Sequence, residues 1–427
     1  MPPLPYRRVP LAPPTIEYLA GLTKKVMPDL GIELIDGNFT AVSPEEIEAD
    51  LVGISCKTPT VSWGYRFADA LRKKGIRVVL GGMHPTALPE EAKTHADAVV
   101  VGEAESVWSE VLQDAGRNKL KPLYYGERLP LENLPLPLIG HLKGPYKYHS
   151  IFTSRGCPYG CESCSLTWFF GQKVRYRPIE EVVKEAELLP EKLGYISDDN
   201  IWVGDTQRAI DLFNALKDLK KKWFAFGCLQ TLQSSLGDKL LKTARESGLI
   251  ELWVGRETYR GTYSSGKIEK EREEIFKKMR DYGITLILPV MLGGRTDTLD
   301  NFEKVVELAD RLKVSVHPGL LVPFPGTKLY EKYKSFLYKD RGWEYYNGAY
   351  AVFEHPTLSP QVREEKFYQV SLELLSLGRL SKHLLEIPLT DFPTAHLYFL
   401  MRQLAVHQAM KTAYQKWQNS KKTVAEP

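Results

Sequence analysis

The sequence has no long apolar run, little net charge and few cysteines. Of its 427 residues, 57 are Lys or Arg and 53 are Asp or Glu, which leaves a net charge of +4. No apolar segment approaches the ~20 residues that a transmembrane helix needs, and no apolar stretch follows a basic N-terminus, so we expect neither a membrane span nor a signal peptide. The small, dispersed charge argues against nucleic-acid binding. These absences predict a cytoplasmic globular protein.

The five cysteines do not suit a disulfide framework, because their number is odd and three of them lie within eight positions. Cys157, Cys161 and Cys164 have the spacing C-x3-C-x2-C. Structural zinc would need a fourth ligand, and a thioredoxin-like redox pair would leave Cys157 unused. Cys56 and Cys228 lie inside predicted apolar strands, and we expect both to be packing residues. Three thiolates are what a cubane iron–sulfur cluster with one open iron requires.

Short β-branched runs alternate with helical segments in two parts of the chain. The predicted strands are 31–36, 50–57, 76–82 and 97–102 in the first part, and 150–154, 194–199, 223–230, 250–257, 284–293 and 316–326 in the second. Such alternation predicts parallel sheets, whose ligands bind at the carboxyl ends of the strands. Six βα units are too few for a closed eight-fold barrel. The predicted fold class is α/β, with a Rossmann-like parallel sheet followed by a partial (βα)6 barrel and a helical C-terminal region.

The domain organisation follows from this pattern and from a proline-rich stretch between the two series. We predict a Rossmann-like domain at 1–126, a linker at 127–147, a partial barrel at 148–335 and a mostly helical region at 336–427. The last region is rich in aromatic residues, which either cover the barrel mouth as a lid or pack as an ordinary core. A lid would favour a largely apolar substrate.

The C-terminal segment also bears on membrane contact. An apolar stripe runs along residues 395–417, and Arg402 and His407 interrupt it. This pattern gives only weak support for peripheral binding to a membrane.

The cysteine motif and three later stretches resemble radical S-adenosylmethionine enzymes. The later stretches are "SDDN" at 197–200, "VGRET" at 254–258 and "VPFPGTKLY" at 322–330, each at the end of a predicted barrel strand. The resemblance implies that the three motif cysteines hold a [4Fe–4S] cluster, with S-adenosylmethionine bound to the open iron through its amino and carboxylate groups. It also implies a set of residues that bind S-adenosylmethionine: Asp198, Asp199, Asn200, Gln230 and Glu257.

The motif departs from the family at one position. The family usually has an aromatic residue directly before the third cysteine, where this chain has Ser163. The resemblance therefore assigns the covering of the adenine to Trp168 or Phe169. Gly156 and Gly160 are expected to let the backbone wrap closely around the cluster, although both could be ordinary turn glycines.

Three N-terminal stretches resemble the cobalamin-binding domain that is fused to many radical S-adenosylmethionine enzymes. They are "GISCKTPT" at 53–60, "VLGGMHPTALPEEA" at 79–92 and "VVGEAESVW" at 100–108. The resemblance implies cofactor contacts from Ser55, Thr58, Gly81, Gly82, His84, Pro85, Gly102 and Glu103. The family's D-x-H-x-x-G motif, whose histidine ligates cobalt, is absent, so we expect cobalamin without a ligand from that motif. His84 could also be a turn histidine, and Glu103 could cap a helix.

The combined resemblance implies a cobalamin-dependent radical S-adenosylmethionine methyltransferase. Such an enzyme would methylate an unactivated carbon of a largely apolar small molecule (a lipid, terpenoid or tetrapyrrole) through methylcobalamin and a deoxyadenosyl radical. It would need an external electron donor of the flavodoxin or ferredoxin type. The alternatives are a cobalamin-containing radical rearrangement or cyclisation, a radical enzyme whose N-terminal domain binds no cofactor, and a non-catalytic sensor. The stretches that bind S-adenosylmethionine argue against a sensor.

Overall fold

A computed structural model of the chain describes residues 11–255, 266–376, 378–379 and 394–425. Within these residues two parallel sheets follow one another along the chain. This arrangement confirms the predicted fold class.

The N-terminal sheet has four parallel strands in the order β1-β2-β3-β4. The strands are β1 Leu51–Ser55, β2 Arg77–Gly81, β3 Ala98–Val101 and β4 Leu123–Tyr125, and the helices are α1 Pro14–Val26, α2 Val61–Lys73, α3 Met83–Ala87, α4 Pro89–Ala92 and α5 Trp108–Gly116. Strand β2 is apolar on both faces, because Val78 and Leu80 pack on one side of the sheet and Val79 packs on the other. The sheet is therefore covered on both faces.

One predicted strand does not form. Residues 31–36 are neither helix nor strand, and most of their side chains are partly or fully exposed. β4 was not predicted, yet it pairs with β3 in parallel. A short apolar run becomes a strand only where a sheet edge can receive it, and the sequence does not show which run reaches that edge.

The second sheet has six parallel strands in the order β12-β11-β10-β9-β8-β5, which is the predicted open barrel. Its strands are β5 Ser150–Ile151, β8 Leu193–Ile196, β9 Lys222–Gly227, β10 Leu249–Val254, β11 Thr285–Leu292 and β12 Ser315–Leu320, while β6 Ser154–Arg155 and β7 Arg175–Tyr176 form a separate pair. The helices are α6 Ser165–Phe170, α7 Ile179–Leu188, α8 Thr206–Leu216, α9 Gly237–Glu246, α10 Gly266–Asp281, α11 Leu299–Leu312, α12 Lys328–Tyr333, α13 Pro360–Leu374 and α14 Thr394–Ala425. Outward strand residues such as Ile196, Ala225 and Leu252 form the main core under the surrounding helices.

A small antiparallel hairpin, which the sequence did not predict, frames the cysteine motif. Strands β6 and β7 pair with each other, and the motif lies on the long loop between them. Because β6 follows β5 almost directly, the loop emerges at the carboxyl end of the barrel strands. That end is where ligands bind in parallel α/β sheets.

The C-terminal helix α14 covers the opposite end of the barrel. Phe399 packs against Ile250 and Ile287, and the side-chain amide of Gln403 donates to the hydroxyl of Ser315, the first residue of β12, at 3.2 Å. The helix therefore closes the amino end of the strands rather than the mouth. No helix in the described part of the chain is both long and apolar enough to cross a membrane.

Candidate active site

The three motif cysteines lie on the β6–β7 loop as reduced, partly exposed thiols. Cys164 caps α6, since its sulfur accepts hydrogen bonds from the backbone N–H and the hydroxyl of Thr167, both at 3.4 Å. Burial raises the pKa of the Cys157 thiol to about 11, so bound metal would be needed to keep this sulfur as a thiolate at neutral pH.

The backbone of this loop passes through positive φ at two glycines, and at the first of them it also packs closely against neighbouring backbone. Gly156 has φ +99° and Gly160 has φ +59°. A Cβ atom at Gly156 would lie 2.4 Å from the carbonyl oxygen of Lys173, and one at Gly160 would lie 2.1 Å from the side-chain nitrogen of Gln172. Both glycines are thus explained by the tight loop around the three thiols.

The donor set fits an iron–sulfur cluster better than a single ion. Among the residues that the structure describes, no three His, Cys, Asp or Glu side chains converge on one ion position. A cubane cluster does not require such convergence, because each of its thiolates binds a different iron. Three thiols on one glycine-rich loop meet that requirement.

The two aspartates of "SDDN" point in different directions. Asp198 is 2% exposed, and its carboxylate accepts from the N–H and hydroxyl of Thr153 at 2.5 and 2.6 Å and from the hydroxyl of Ser154 at 2.7 Å. Asp199 instead accepts from the backbone N–H of Gly156 at 3.0 Å. Burial is the main cause that raises the pKa of Asp199 to about 6. Asp198 therefore ties β8 to the β5–β6 connection, and Asp199 is the carboxylate beside the cysteine loop.

The remaining residues assigned to S-adenosylmethionine differ in their burial and in their surroundings. Asn200 is buried, and its side-chain oxygen has no hydrogen-bond partner. Gln230 is exposed in the turn after β9, and Glu257 lies outside the described residues. The indole of Trp168 packs against Gly326, where a Cβ atom would lie 2.5 Å from the ring. This contact brings the last-strand segment onto the helix that follows the cysteines.

The crevice predicted to hold cobalamin lies above the carboxyl ends of β1 to β3. Ser55, at the end of β1, is exposed there, and so is Lys57, which the sequence analysis did not single out. The side chain of Lys57 reaches solvent, yet the protein atoms around its amino group partly remove that group from water and so lower its pKa. That combination indicates a side chain inside a recess rather than on open surface. A recess beside strand ends is what a large flat cofactor requires.

The three glycines of this crevice differ in backbone conformation and in the space that a side chain would have. Gly82 and Gly102 have φ +99° and +91°, and Cβ atoms there would lie 2.7 Å from the carbonyl oxygens of Cys56 and Gly126. Both are thus required by the local backbone. A Cβ atom at Gly81 would approach nothing closer than 4.0 Å. Gly81 is therefore the glycine that leaves open space in the crevice.

His84 is enclosed by protein rather than directed into the crevice. It is 1% exposed, with Nδ1 3.3 Å from the hydroxyl of Thr58 and Nε2 3.1 Å from a carboxylate oxygen of Glu91. Pro85 is buried beside it on α3. The indole N–H of Trp343 also donates to Glu91 at 3.1 Å. Thr58, His84 and Pro85 therefore pack the loop and attach the C-terminal region to it, and this arrangement favours the alternative of a turn histidine.

Glu103 connects the two sheets instead of capping a helix. Its carboxylate accepts from Arg155 at 2.6 Å and from Arg175 at 3.1 Å, and Arg155 also pairs with Glu105 at 2.7 Å. These side chains are 3 to 12% exposed. Arg155 lies two residues before Cys157. A buried ion-pair network thus joins the predicted corrin loop to the cysteine loop, and sequence patterns gave no signal for the two arginines.

The two cysteines outside the motif do not lie inside strands. Each follows its strand directly, Cys56 after β1 and Cys228 after β9. Cys56 is 2% exposed, and burial raises its pKa to about 12. The thiol of Cys228 is partly exposed and lies 3.5 Å from the hydroxyl of Tyr159, which stands between the first two motif cysteines.

A row of rings crosses the inner face of the barrel. Tyr195, Phe226, Trp253 and His317 contact one another in sequence across the strands, with ring centroids 6.3, 5.4 and 4.9 Å apart. Burial lowers the pKa of His317 to about 3, so the row carries no charge at neutral pH. Met291 is 40% exposed, although β11 has a strand on each side. The upper part of this face is therefore open.

Comparison with known proteins finds a matching domain and a relative that covers most of the chain. Residues 25–112 match the B12 binding domain. The chain is 26% identical over 384 residues to bacteriochlorophyllide d C-8(2)-methyltransferase of Chlorobaculum tepidum, covering 83% of this chain and 84% of that protein.

Two solved structures of the radical S-adenosylmethionine methyltransferase TsrM from Kitasatospora setae share the fold. The one with tryptophan and an S-adenosylmethionine analogue has a TM-score of 0.67 at 14% identity and covers 99% of this chain and 98% of that one. The one with cobalamin and a [4Fe–4S] cluster has a TM-score of 0.63 at 15% identity and covers 96% of this chain and 98% of that one. The matches confirm the resemblance seen in the sequence: the chain carries a B12 binding domain, is similar over most of its length to a bacteriochlorophyllide methyltransferase, and shares its fold with a radical S-adenosylmethionine methyltransferase that was solved with cobalamin and a [4Fe–4S] cluster.

Proposed function

We propose that the enzyme methylates an unactivated carbon of a largely apolar, ring-containing small molecule. The observation that carries this proposal is the uncharged row from Tyr195 to His317, which lines the barrel below the cysteine loop. Aromatic faces bury flat apolar ligands through area and ring stacking. A charged metabolite would find no partner on that row.

Separate groups of residues would hold the different cofactors. Cys157, Cys161 and Cys164 would bind the cluster, with Asp199 and Asn200 beside S-adenosylmethionine. Ser55, Lys57 and Gly81 would contact the corrin. Together the cofactors supply a methyl group and a radical that removes a hydrogen atom, and the protein supplies orientation and the exclusion of water.

The buried network of Glu103 and Arg155 supports this division. Catalysis that uses two donors in succession requires both to face one substrate. Two ion pairs with little exposure join the corrin loop to β6 and β7, the two strands that flank the cysteine loop. The network would keep the two cofactors in a fixed position relative to each other.

Chlorobaculum bacteriochlorophyllide methyltransferase supplies a concrete substrate class. The name of that relative indicates a chlorin macrocycle, which is broad, flat and mostly apolar. TsrM was solved with tryptophan, a smaller and zwitterionic aromatic substrate. The aromatic row of this chain suits the macrocycle better, because the charged groups beside it, Arg402 and Glu251, already pair with each other next to Trp253.

The experiment compares these two substrate types. Anaerobically reconstituted protein with cobalamin, S-adenosylmethionine and a strong reductant is incubated with a bacteriochlorophyllide or with tryptophan. We expect a methylated chlorin, accompanied by about one S-adenosylhomocysteine and one deoxyadenosine per product, as two successive uses of S-adenosylmethionine require. With a substrate deuterated at the reacting carbon, the label should appear in deoxyadenosine.

Other products would point elsewhere. Methylated tryptophan with S-adenosylhomocysteine alone would mean a polar methyl transfer. Deoxyadenosine with an unmethylated, rearranged product would mean a radical rearrangement. Either result would overturn the proposal.

We further propose the remaining features predicted from the sequence. The domain boundaries are those given above, 1–126, 127–147, 148–335 and 336–427. The electron donor is of the flavodoxin or ferredoxin type, the enzyme works in the cytoplasm, and contact with a membrane surface is restricted to the exposed stripe of Leu397, Met401 and Leu404 on α14.

A further inference from the structure

We propose that Cys228 is a fourth cysteine of the iron–sulfur site: in the absence of S-adenosylmethionine its thiolate binds the iron that the three motif thiolates leave open, and S-adenosylmethionine displaces it. This inference rests on the proposed cluster but assigns a ligand outside the motif. It concerns the resting state of the enzyme rather than its reaction.

The backbone holds Cys228 at the barrel mouth. β9 ends at Gly227, so Cys228 is the first residue beyond the strand, at the same end of the barrel as the cysteine loop. The indole N–H of Trp202 donates to the carbonyl oxygen of Cys228 at 2.9 Å. A Cβ atom at Gly227 would lie 3.0 Å from the same indole. This close packing fixes the direction in which the Cys228 side chain leaves the strand.

The thiol points towards the motif. Its sulfur lies 3.5 Å from the hydroxyl of Tyr159 and 3.3 Å from the hydroxyl of Thr231. Tyr159 stands midway between Cys157 and Cys161 and is 47% exposed. Four thiols therefore lie at one end of the barrel, three on a single loop and the fourth directly after β9, where it contacts Tyr159 of that loop.

A hydroxyl between these thiols suits a ligand that is bound and released. The Tyr159 hydroxyl donates to a Cys228 thiolate that has left the iron, whereas the Thr231 hydroxyl donates to the carbonyl oxygen of Trp202. A hydroxyl donor stabilises the departing sulfur without competing for the iron, until that sulfur takes up a proton. An exposed tyrosine on a loop can also turn away to let the sulfur approach.

The exchange balances without any redox change. The bond between Cys228 sulfur and the open iron breaks, and bonds from iron to the amino nitrogen and the carboxylate oxygen of S-adenosylmethionine form. The amino group loses a proton as it binds, and the freed Cys228 thiolate takes up that proton. The other three thiolates keep their irons, so the cluster remains whole.

The test is Mössbauer spectroscopy of protein reconstituted with iron-57, because an iron with only sulfur ligands differs from one with oxygen or nitrogen ligands. Without S-adenosylmethionine, we expect the four irons of the wild-type cluster to be alike and one iron of the Cys228→Ala cluster to be distinct. With S-adenosylmethionine, both proteins should show the same distinct iron. Cys56→Ala, which removes the other thiol outside the motif, should behave like the wild type.

A second variant controls for misfolding, and two outcomes would overturn the inference. Cys228→Ser preserves the size of the side chain and should also show a distinct iron without S-adenosylmethionine, which excludes misfolding as the cause. The same distinct iron in wild type and Cys228→Ala would overturn the inference and leave the proposed function intact. A wild-type protein that binds no cluster would overturn the proposed function as well.

Discussion

Glu103 forms a buried ion pair with Arg155 across the boundary between the two sheets, at 2.6 Å. Glu103 follows the last residue of the predicted corrin loop, Gly102, and Arg155 precedes the tight glycine of the cysteine loop, Gly156. One contact thus links the two cofactor-binding regions. Because of this contact, a structural change in one cofactor-binding region should also change the other.

The first prediction concerns this ion pair. Glu103→Gln removes the charge that compensates Arg175, and it reduces the carboxylate partners of Arg155 from two to one, Glu105. We expect a loss of about 3–5 kcal/mol in the free energy of unfolding, the range for breaking a buried pair. Urea denaturation measures it. Glu110→Gln, in the exposed pair with Lys121, should cost at most about 1 kcal/mol. Equal midpoints for the two variants would contradict the assignment.

A second prediction concerns the cluster ligands. Replacing Cys157, Cys161 and Cys164 together with Ala should abolish iron binding and the broad brown absorbance of the reconstituted protein, since no other thiol set remains to hold a cluster. Cys56→Ala should keep both, because this buried thiol lies in the core of the N-terminal sheet. The measurements are iron content and the visible spectrum. Iron retained at wild-type level in the triple variant would refute the ligand assignment.

The third prediction concerns the corrin crevice. Gly81→Trp fills the open space above β2 without straining the backbone, so we expect the protein to fold and to lose cobalamin. Gly82 is unsuitable for this test, because its φ of +99° makes any side chain strained. The cobalamin absorbance that remains with the protein after gel filtration is the measurement. Gly116→Trp, at a position with open space outside the crevice, should retain the cofactor. Full retention by Gly81→Trp would place cobalamin elsewhere.

The fourth prediction concerns pH. His149 is buried, with Nδ1 3.0 Å from Glu191 and Nε2 3.5 Å from Glu17. Burial alone would lower the pKa of His149, but the hydrogen bonds and charges of the two carboxylates outweigh it and raise the pKa. The imidazolium therefore stabilises the fold fully below the unfolded pKa of about 6.5, and this stabilisation is lost as the pH rises through the raised pKa of the folded state.

His149→Gln tests the sign of this effect. The variant should lose about 1–3 kcal/mol of unfolding free energy at about pH 6 and much less at about pH 9, because only the charged imidazole makes strong bonds to carboxylates. Urea denaturation at both pH values measures the difference. His141→Gln, at an exposed position, should show no such dependence. A loss that grows with pH would mean that His149 stabilises the fold in its neutral form.

The sequence determined the architecture to a large extent. Apolar runs alternating with helices fix parallel sheets, because a buried strand needs apolar residues on both faces and a helix to return the chain. All six strands of the barrel form close to their predicted positions. The cysteine spacing also indicated the cluster, since all three ligands come from one short loop and therefore are close in space whatever the rest of the chain does.

Only the tertiary structure decided the roles of residues that act at a distance. Asp198 and Asp199 are neighbours in the chain, but one binds Thr153 and the other binds Gly156, because consecutive side chains leave an extended backbone in opposite directions. Tyr159 and Cys228 are 69 positions apart, and Glu103 and Arg155 are 52 apart. Such pairs carry no local pattern. They meet only because the sheets bring the carboxyl ends of separate strands to one edge, and the packing there selects which side chains touch.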